Sequence, residues 1–230
     1  MMEALTQSIY FGIALSLLCF QLALWIKSKV KSAIANPLLV SVIIIIAILL
    51  AFGIDYDTYY NGAKYISFFL TPATVSLAIP LYRQLTLLKK YPKAIFGGIT
   101  AGVLTTMVSI FLLSLAFGLN HEQYVTLLPK SITTAIGMGV SEKMGGIATI
   151  TVVSIAVTGI LGNMIAEFIC KVCKIEEPIA RGLAIGTASH AMGTTKAIEM
   201  GEIEGAMSSL SIVVAGVMTV IAVSVFANFI

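Results

Sequence analysis

Two stretches of the chain carry residue types that could do chemistry inside an otherwise apolar sequence. The first is Arg181–Met207, RGLAIGTASHAMGTTKAIEMGEIEGAM, in which hydroxyls (Thr187, Ser189, Thr194, Thr195) surround His190, with Lys196 and Glu199 just beyond. The second is LLPKSITTAIGMGVSEK, residues 127–143, with Lys130, Ser131, Thr133, Thr134 and Glu142. Lys130 follows Pro129, and proline suits the first turn of a helix, whose free N–H groups and dipole attract anions. A carboxylate could be held there by the ammonium and the hydroxyls. His190 could donate to a substrate oxygen or carry a coupling proton. Lys130, Ser131, Thr133, Thr134, Thr187, Ser189, His190, Thr194 and Thr195 are therefore the candidate substrate-binding residues. His190, Lys196, Glu199 and Glu142 are the candidates for coupling or ion pairing. Plainer readings stand beside these: Lys130 snorkelling to headgroups, His190 as a buried structural histidine, and Lys196 pairing with Glu199 three residues on. Asn163 and Glu167, four apart on one helical face, read as polar packing or headgroup contacts.

Enzyme constellations are missing from the sequence. There is no P-loop, no GxSxG and no paired-histidine metal motif, and two histidines with three cysteines make no ligand set of recognised spacing. The expectation is a non-enzyme with no catalytic residue, metal or cofactor. Cys170 and Cys173 form C-x-x-C, which can signal redox or metal chemistry, but here they end an apolar run and read as ordinary helix-end residues.

The elements that would position these residues are membrane spans. The chain of 230 residues is 58% hydrophobic and 11% charged, with mean hydropathy +1.00, whereas a soluble domain carries about 25% charged residues. This is the composition of a single all-α, polytopic integral membrane domain over residues 1–230. A net charge of +3 is small and gives no sign of a nucleic-acid partner. Uncharged runs at 4–26, 32–54, 65–82, 94–120, 144–166 and 205–230 are six candidate crossings. The first reads as a retained span, since lysines rather than a small-residue cleavage site follow it. Pro72 and Pro80 should interrupt the third. Residues 129–143 and 182–200 are too short or too polar for a lipid-facing crossing of about 20 apolar residues. Polar, glycine-rich backbone survives at membrane depth only against protein or a water-filled cavity. These segments read as broken or re-entrant helices, with surface loops as the plainer alternative for 182–200.

Basic clusters at 27–31, 83–93 and 171–181 all face the cytoplasm if the two short segments enter and return from opposite faces. That leaves the N-terminus on the periplasmic or extracellular side. Eight full crossings is the alternative. An internal echo favours pairing the short segments: SIAVTGI at Ser154–Ile160 recurs as SIVVAGV at Ser211–Val217, an offset of 57 residues (211 − 154), which also relates Glu142 to Glu199 and Pro72 to Pro129. Interrupted helices in corresponding halves of an inverted repeat, meeting near the midplane, are the pattern of secondary transporters. On that pattern the segments around Ser131–Gly137 and Thr187–Thr195 are expected to approach each other.

The stretch GLAIGTASHAMGTTKAIEMGEIEGAMSSL resembles the signature region of the LrgB/CidB family. LLPKSITTAIGM and FLTPATVSLAIPLY resemble its two other characteristic stretches, in the same order. Ala135 stands where the family's second motif usually has proline. The resemblance implies a bacterial inner-membrane protein of the antiholin-like or holin-like kind, linked to murein hydrolase export and lysis. It also implies a small LrgA/CidA-like membrane protein as partner and leaves a homo-oligomer open. Relatives described as carriers of pyruvate, glycolate or glycerate imply transport of small monocarboxylates. Of the two functions, the paired glycine-hydroxyl segments favour a monocarboxylate carrier with an alternating-access site, because a plain pore gives no reason for them. A regulator of membrane permeability is the alternative.

Overall fold

The structure, a computed structural model, describes residues 8–30, 36–69 and 85–230, together with 72, 75, 76, 79 and 82. The expected interruption of the third run at Pro72 and Pro80 falls largely outside the described residues. Among those residues every regular element is helical. Four helices are long and apolar enough to cross a membrane and a fifth, at 37–52, is apolar but shorter. The chain divides into two compact units, Met1–Ser76 and Leu77–Ile230.

The first unit holds α1 (Ile9–Lys29), α2 (Pro37–Phe52), α3 (Tyr56–Ala63) and a 3₁₀ turn at Ile66–Phe69. Capping follows local chemistry: Ser8 and Asn36 accept from the first free amides of α1 and α2, and Asp55 does the same for α3. Lys27 and Lys29 close α1 in its last turn. The Ser16 and Tyr59 hydroxyls, 2.8 Å apart, tie α1 to α3.

The second unit comprises α4 (Leu85–Lys90), α5 (Pro92–Phe117), α6 (His121–Leu127), α7 (Thr134–Lys143), α8 (Ala148–Val172), α9 (Pro178–Met200) and α10 (Glu202–Phe226), with a 3₁₀ turn at Ala227–Phe229. Its core joins α5 (Ile95, Ile99, Val103, Met107) to α6 (Tyr124, Val125) and α10 (Met207, Leu210, Val223). Tyr124 is fully buried and spends its hydroxyl on the Phe226 carbonyl, 2.9 Å away.

Helix boundaries correct the sequence expectation in two places. Pro129 does not open a helix. It follows the end of α6, where its missing N–H stops the ladder, and α7 starts later, at Thr134. The fifth apolar run begins as helix at Ala148 rather than Met144, because Gly145 (φ 82°) turns the chain, and it runs on through Glu167 and Lys171 to Val172.

The repeat reappears in the elements. Shifted by the same 57 residues, α6 and α9 start together (His121, Pro178), and α7 falls on 191–200. The span of α8 falls on 205–229, which α10 and its 3₁₀ turn occupy.

Candidate functional site

α9 is two helices joined at a break. Ser189 (φ −131°, ψ 15°) and His190 (φ 43°, ψ −142°) leave helical geometry, and the chain reverses there. A Cβ built on Gly193 would lie 3.0 Å from Ile185 Cγ2 and 3.1 Å from its carbonyl oxygen. In a straight helix those residues stand about 12 Å apart. Ile185 shares a buried cluster with Ala197, Ala166 and Cys170. Arg181 and Met200, at opposite ends of α9, line one small cavity of about 310 Å³. The halves 178–188 and 191–200 thus form a tight hairpin with its tip at Ser189–His190.

A second hairpin is made by α6, the turn 128–133 and α7. Thr126 near the end of α6 meets the far end of α7. Its Oγ1 accepts from the Ile147 amide at 2.8 Å, and its carbonyl accepts from Thr151 Oγ1 at 2.9 Å. Thr151 Oγ1 is also 2.7 Å from Ser141 Oγ. At the other end, the first residues of α7 fold against the turn: a Cβ on Gly137 would lie 3.4 Å from the Pro129 carbonyl oxygen.

α8 connects the two tips. Its start holds the base of the first hairpin through Thr151, and its last turns hold the base of the second through Ala166, Glu167 and Cys170. Between these lies Ile155, fully buried. Its side chain would collide with a Cβ on Gly137, and its carbonyl accepts a hydrogen bond from His190 Nε2–H at 3.0 Å. One turn on, a Cβ on Gly159 would lie 2.7 Å from His190 Cε1, and a Cβ on Gly162 would coincide with Ser189 Oγ. Glycine at both positions lets the tip lie against the α8 backbone. Asn163 Nδ2 then donates to the Met192 carbonyl and lies 2.9 Å from Thr195 Oγ1.

The candidate residues point to several neighbours. Ser189, His190 and Thr195 face α8. Thr194 is buried between its own helix (His190 carbonyl, 2.9 Å) and Ser208 Oγ of α10 at 2.7 Å. Thr187 faces α5, its methyl against Gly102, and its Oγ1 is buried with no hydrogen-bond partner among the described residues. Ser131 is buried, whereas Thr133 and Thr134 are half-buried at the start of α7. Lys130 is half-buried, with its Nζ 3.2 Å from Ser131 Oγ. Among the described residues no carboxylate lies within ion-pair distance of it. It follows Pro129, whose carbonyl lies against Gly137, and Gly137 and His190 both meet Ile155.

The remaining coupling candidates lie elsewhere. Glu142 is exposed at the end of α7 farthest from the tip. Lys196 pairs with Glu199 at 3.4 Å and with Glu167 of α8 at 3.3 Å, and Glu167 also holds Lys171 at 3.0 Å. This network sits at the hairpin base. Beside it Arg181 lies 3.9 Å from Glu204, a 6% exposed carboxylate in the first turn of α10. No group of three or more His, Cys, Asp or Glu side chains positioned to hold a metal occurs among the described residues. Cys170 is buried and Cys173 exposed, both as free thiols.

Sequence reasoning missed Ile155, Gly159, Gly162, Ser208 and the Arg181–Glu204 pair as parts of the site. The glycines three apart in an apolar helix were the available signal, since small residues mark close helix packing in membranes.

The whole-chain comparison agrees with this region. The LrgB-like family matches residues 16–229. The chain belongs to that family. It is 39% identical over 226 residues to an "Antiholin-like protein LrgB" of Bacillus subtilis (strain 168), covering 98% of each chain. It is 38% identical over 228 residues to proteins of the same name from Bacillus cereus (strain B4264) and Bacillus anthracis (strain CDC 684 / NRRL 3495), covering 99% of each. No solved structure matches it. The names of these relatives favour the permeability-regulator reading over the monocarboxylate carrier.

Proposed function

We propose that this chain is an antiholin-like regulator of membrane permeability, the reading its relatives' names support. We propose further that it acts by passing a small anion where the two hairpin tips meet. The observation behind the second part is Lys130: a half-buried cation in the turn of the α6–α7 hairpin, with no carboxylate in ion-pair distance among the described residues. Buried charges need a counter-charge, and a monocarboxylate of the pyruvate, glycolate or glycerate size supplies one. Ser131 and His190 offer hydrogen bonds beside it.

In this reading α5, α8 and α10 cross the bacterial inner membrane with the three more N-terminal apolar runs. The α6–α7 hairpin enters from one face and the α9 hairpin from the other. The two would be related by inversion, since each repeat unit is one returning hairpin followed by one crossing. Alternating access then means a shift of the hairpins about the fixed tip site. Murein hydrolase export and lysis would follow from the resulting flux, with a small LrgA/CidA-like membrane protein as partner.

The test is reconstitution of the full chain in proteoliposomes, with uptake of labelled pyruvate, glycolate and glycerate measured beside release of a neutral dye. Saturable anion uptake that falls at least tenfold in Lys130→Met, survives in part in Lys130→Arg, and occurs without dye release is expected. Graded dye release without saturation would identify a plain pore and remove the carrier mechanism. Absence of any flux would leave only regulation through a partner.

A further inference from the structure

The base of the α9 hairpin borders a cavity of about 310 Å³ whose wall is charged. Lys171 of α8, Arg181 of the first half of α9 and Lys196 of the second half supply three cations, against the carboxylates of Glu167 and Glu199. Cys170 lines the cavity too, and it belongs to the buried cluster with Ala166, Ile185 and Ala197. The site lies where α8 ends, at Val172, and α9 begins, at Pro178.

The corresponding place in the other hairpin has no such charge. Shifted by the 57-residue offset, Arg181 corresponds to Tyr124, which is fully buried with its hydroxyl on the Phe226 carbonyl. There Thr126, Ser141 and Thr151 are buried and close the base on one another. Hydroxyl bonds seal one base, and ion pairs around a cavity hold the other. Closing a hairpin base therefore does not by itself call for these cations.

The ion pairs leave donors to spare. Arg181 is fixed by one bond, from Nε to the Ile175 carbonyl at 2.7 Å. Its terminal N–H groups make no hydrogen bond among the described residues, and its one ion-pair partner there, Glu204, is 3.9 Å away. That is beyond the range of about 2.7–3.2 Å for such a bond. Lys196 holds Glu199 at 3.4 Å, and the Glu199 side chain is 58% exposed. Pairs so exposed contribute about 0–1 kcal/mol, so an incoming anion can take Lys196 from Glu199 at little cost. A guanidinium offers a planar fork that matches the oxygens of a phosphate, and lysines act beside it as point charges. Basic pockets between membrane helices bind lipid head groups in this way.

We infer that the cavity at the base of the α9 hairpin binds a phosphate-type oxyanion, free or as the head group of a lipid, with Arg181 as the forked donor and Lys171 and Lys196 as supporting charges. The bound anion ties both halves of the hairpin to the end of α8. This site is separate from Lys130 and does not rest on the monocarboxylate reading.

The test is calorimetric titration of the full chain in a neutral detergent with inorganic phosphate, at an ionic strength held constant with sodium chloride. Saturable binding is expected. Arg181→Lys, which keeps the charge and loses the fork, should raise Kd at least tenfold, and Lys196→Gln at least threefold. Glu199→Gln, which removes a competing carboxylate, should lower Kd at least twofold, a gain that a purely structural network gives no reason for. Lys196 and Glu199 are not buried, so their variants carry the test if Arg181→Lys does not fold. Nanodiscs of phosphatidylcholine with and without phosphatidylglycerol distinguish the sources. A head-group occupant blocks the phosphate titration in the phosphatidylglycerol discs, and a free-phosphate site titrates equally in both. No saturable binding in detergent or in phosphatidylcholine discs would overturn the proposal, as would a Kd that neither Lys196→Gln nor Glu199→Gln moves. If Lys130→Met abolishes binding while Lys196→Gln and Glu199→Gln leave it unchanged, the anion sits at the hairpin tip and the base site falls.

Discussion

His190 donates its Nε2–H to the backbone carbonyl of Ile155 at 3.0 Å, while the Ile155 side chain abuts Gly137. A single residue of α8 therefore touches both hairpins. The histidine also has φ 43° with ψ −142°, close to a region that is nearly glycine-only and costs on the order of 1–3 kcal/mol for other residues. Two effects of substitution should separate. His190→Ala loses the hydrogen bond and keeps the strain. His190→Gly loses the bond and relieves the strain, and should be more stable than the alanine variant by about 1 kcal/mol or more. Thermal unfolding in detergent reads the difference, and an alanine variant at least as stable as the glycine one would contradict the geometry.

The contact of the α9 tip with α8 should depend on missing side chains. Alanine at Gly162 would put a Cβ where Ser189 Oγ lies, and at Gly159 one 2.6 Å from Met192 Sδ. Overpacking of this kind costs about 1–3 kcal/mol. Gly97, in α5, has nothing within 4 Å of its added Cβ, and Gly97→Ala should be neutral or gain up to about 1 kcal/mol from helix propensity. Detergent melting curves of the three variants give the order, and equal effects at Gly162 and Gly97 would show that the tip does not pack as described.

Sidedness follows from two returning hairpins. Cysteines at Asn120 and Gly145 should label from one face of the membrane, and cysteines at Glu176 and Gly201 from the other. The paired positions flank the α6–α7 and α9 hairpins, and α8 separates the pairs. Labelling of Glu176→Cys and Gly201→Cys from opposite faces would make α9 a crossing, and the same outcome for Asn120→Cys and Gly145→Cys as well would restore the count of eight.

The ion pairs that Glu167, Lys171, Lys196 and Glu199 make at the base of the α9 hairpin are partly solvent-exposed, and exposed pairs contribute about 0–1 kcal/mol each. Glu167 and Lys196 have side chains 47% and 24% exposed. Glu167→Gln should therefore cost little. Lys196→Glu, which sets a third acid beside Glu167 and Glu199, should cost more, and Glu167→Lys together with Lys196→Glu should recover part of it. A double-mutant cycle on melting temperature measures the coupling; zero coupling would mean the contact has no energetic weight.

The loop carboxylate Asp55 caps α3. Hydrogen bonds from the Thr58 hydroxyl, and then from the Thr58 amide, hold its pKa below the ordinary carboxylate value. A folded-state pKa below the unfolded one means that the cap's contribution is fully present above about pH 4. It is lost as the pH falls through the depressed folded value. Amide exchange at Thr58 should accelerate below that range, and Asp55→Asn should remove the pH dependence. An Asp55→Asn protein with the same acid profile would assign the change to another group.

What composition and motif order determined is the class of molecule. Charge as low as 11% leaves no soluble alternative, and the motif around His190 settles the family. The 57-residue echo in the letters foretold the correspondence of α6–α8 with α9–α10, because matched segments of equal length make matched elements. The breaks were legible as polar, glycine-rich runs, yet Pro129 was misread as a helix start when it is a helix stop. Proline at either place looks alike without the neighbouring carbonyls.

Only the tertiary structure decided where the hydroxyls go. Thr187, Thr194 and Thr195 lie within nine residues, but they meet α5, α10 and α8. Direction on a helix turns by about 100° per residue, and the neighbour on each side is set by the chain reversal at Ser189–His190. That reversal depends on contacts supplied by Ile155, Gly159 and Gly162, about 30 residues earlier in the chain, which no local pattern around His190 encodes.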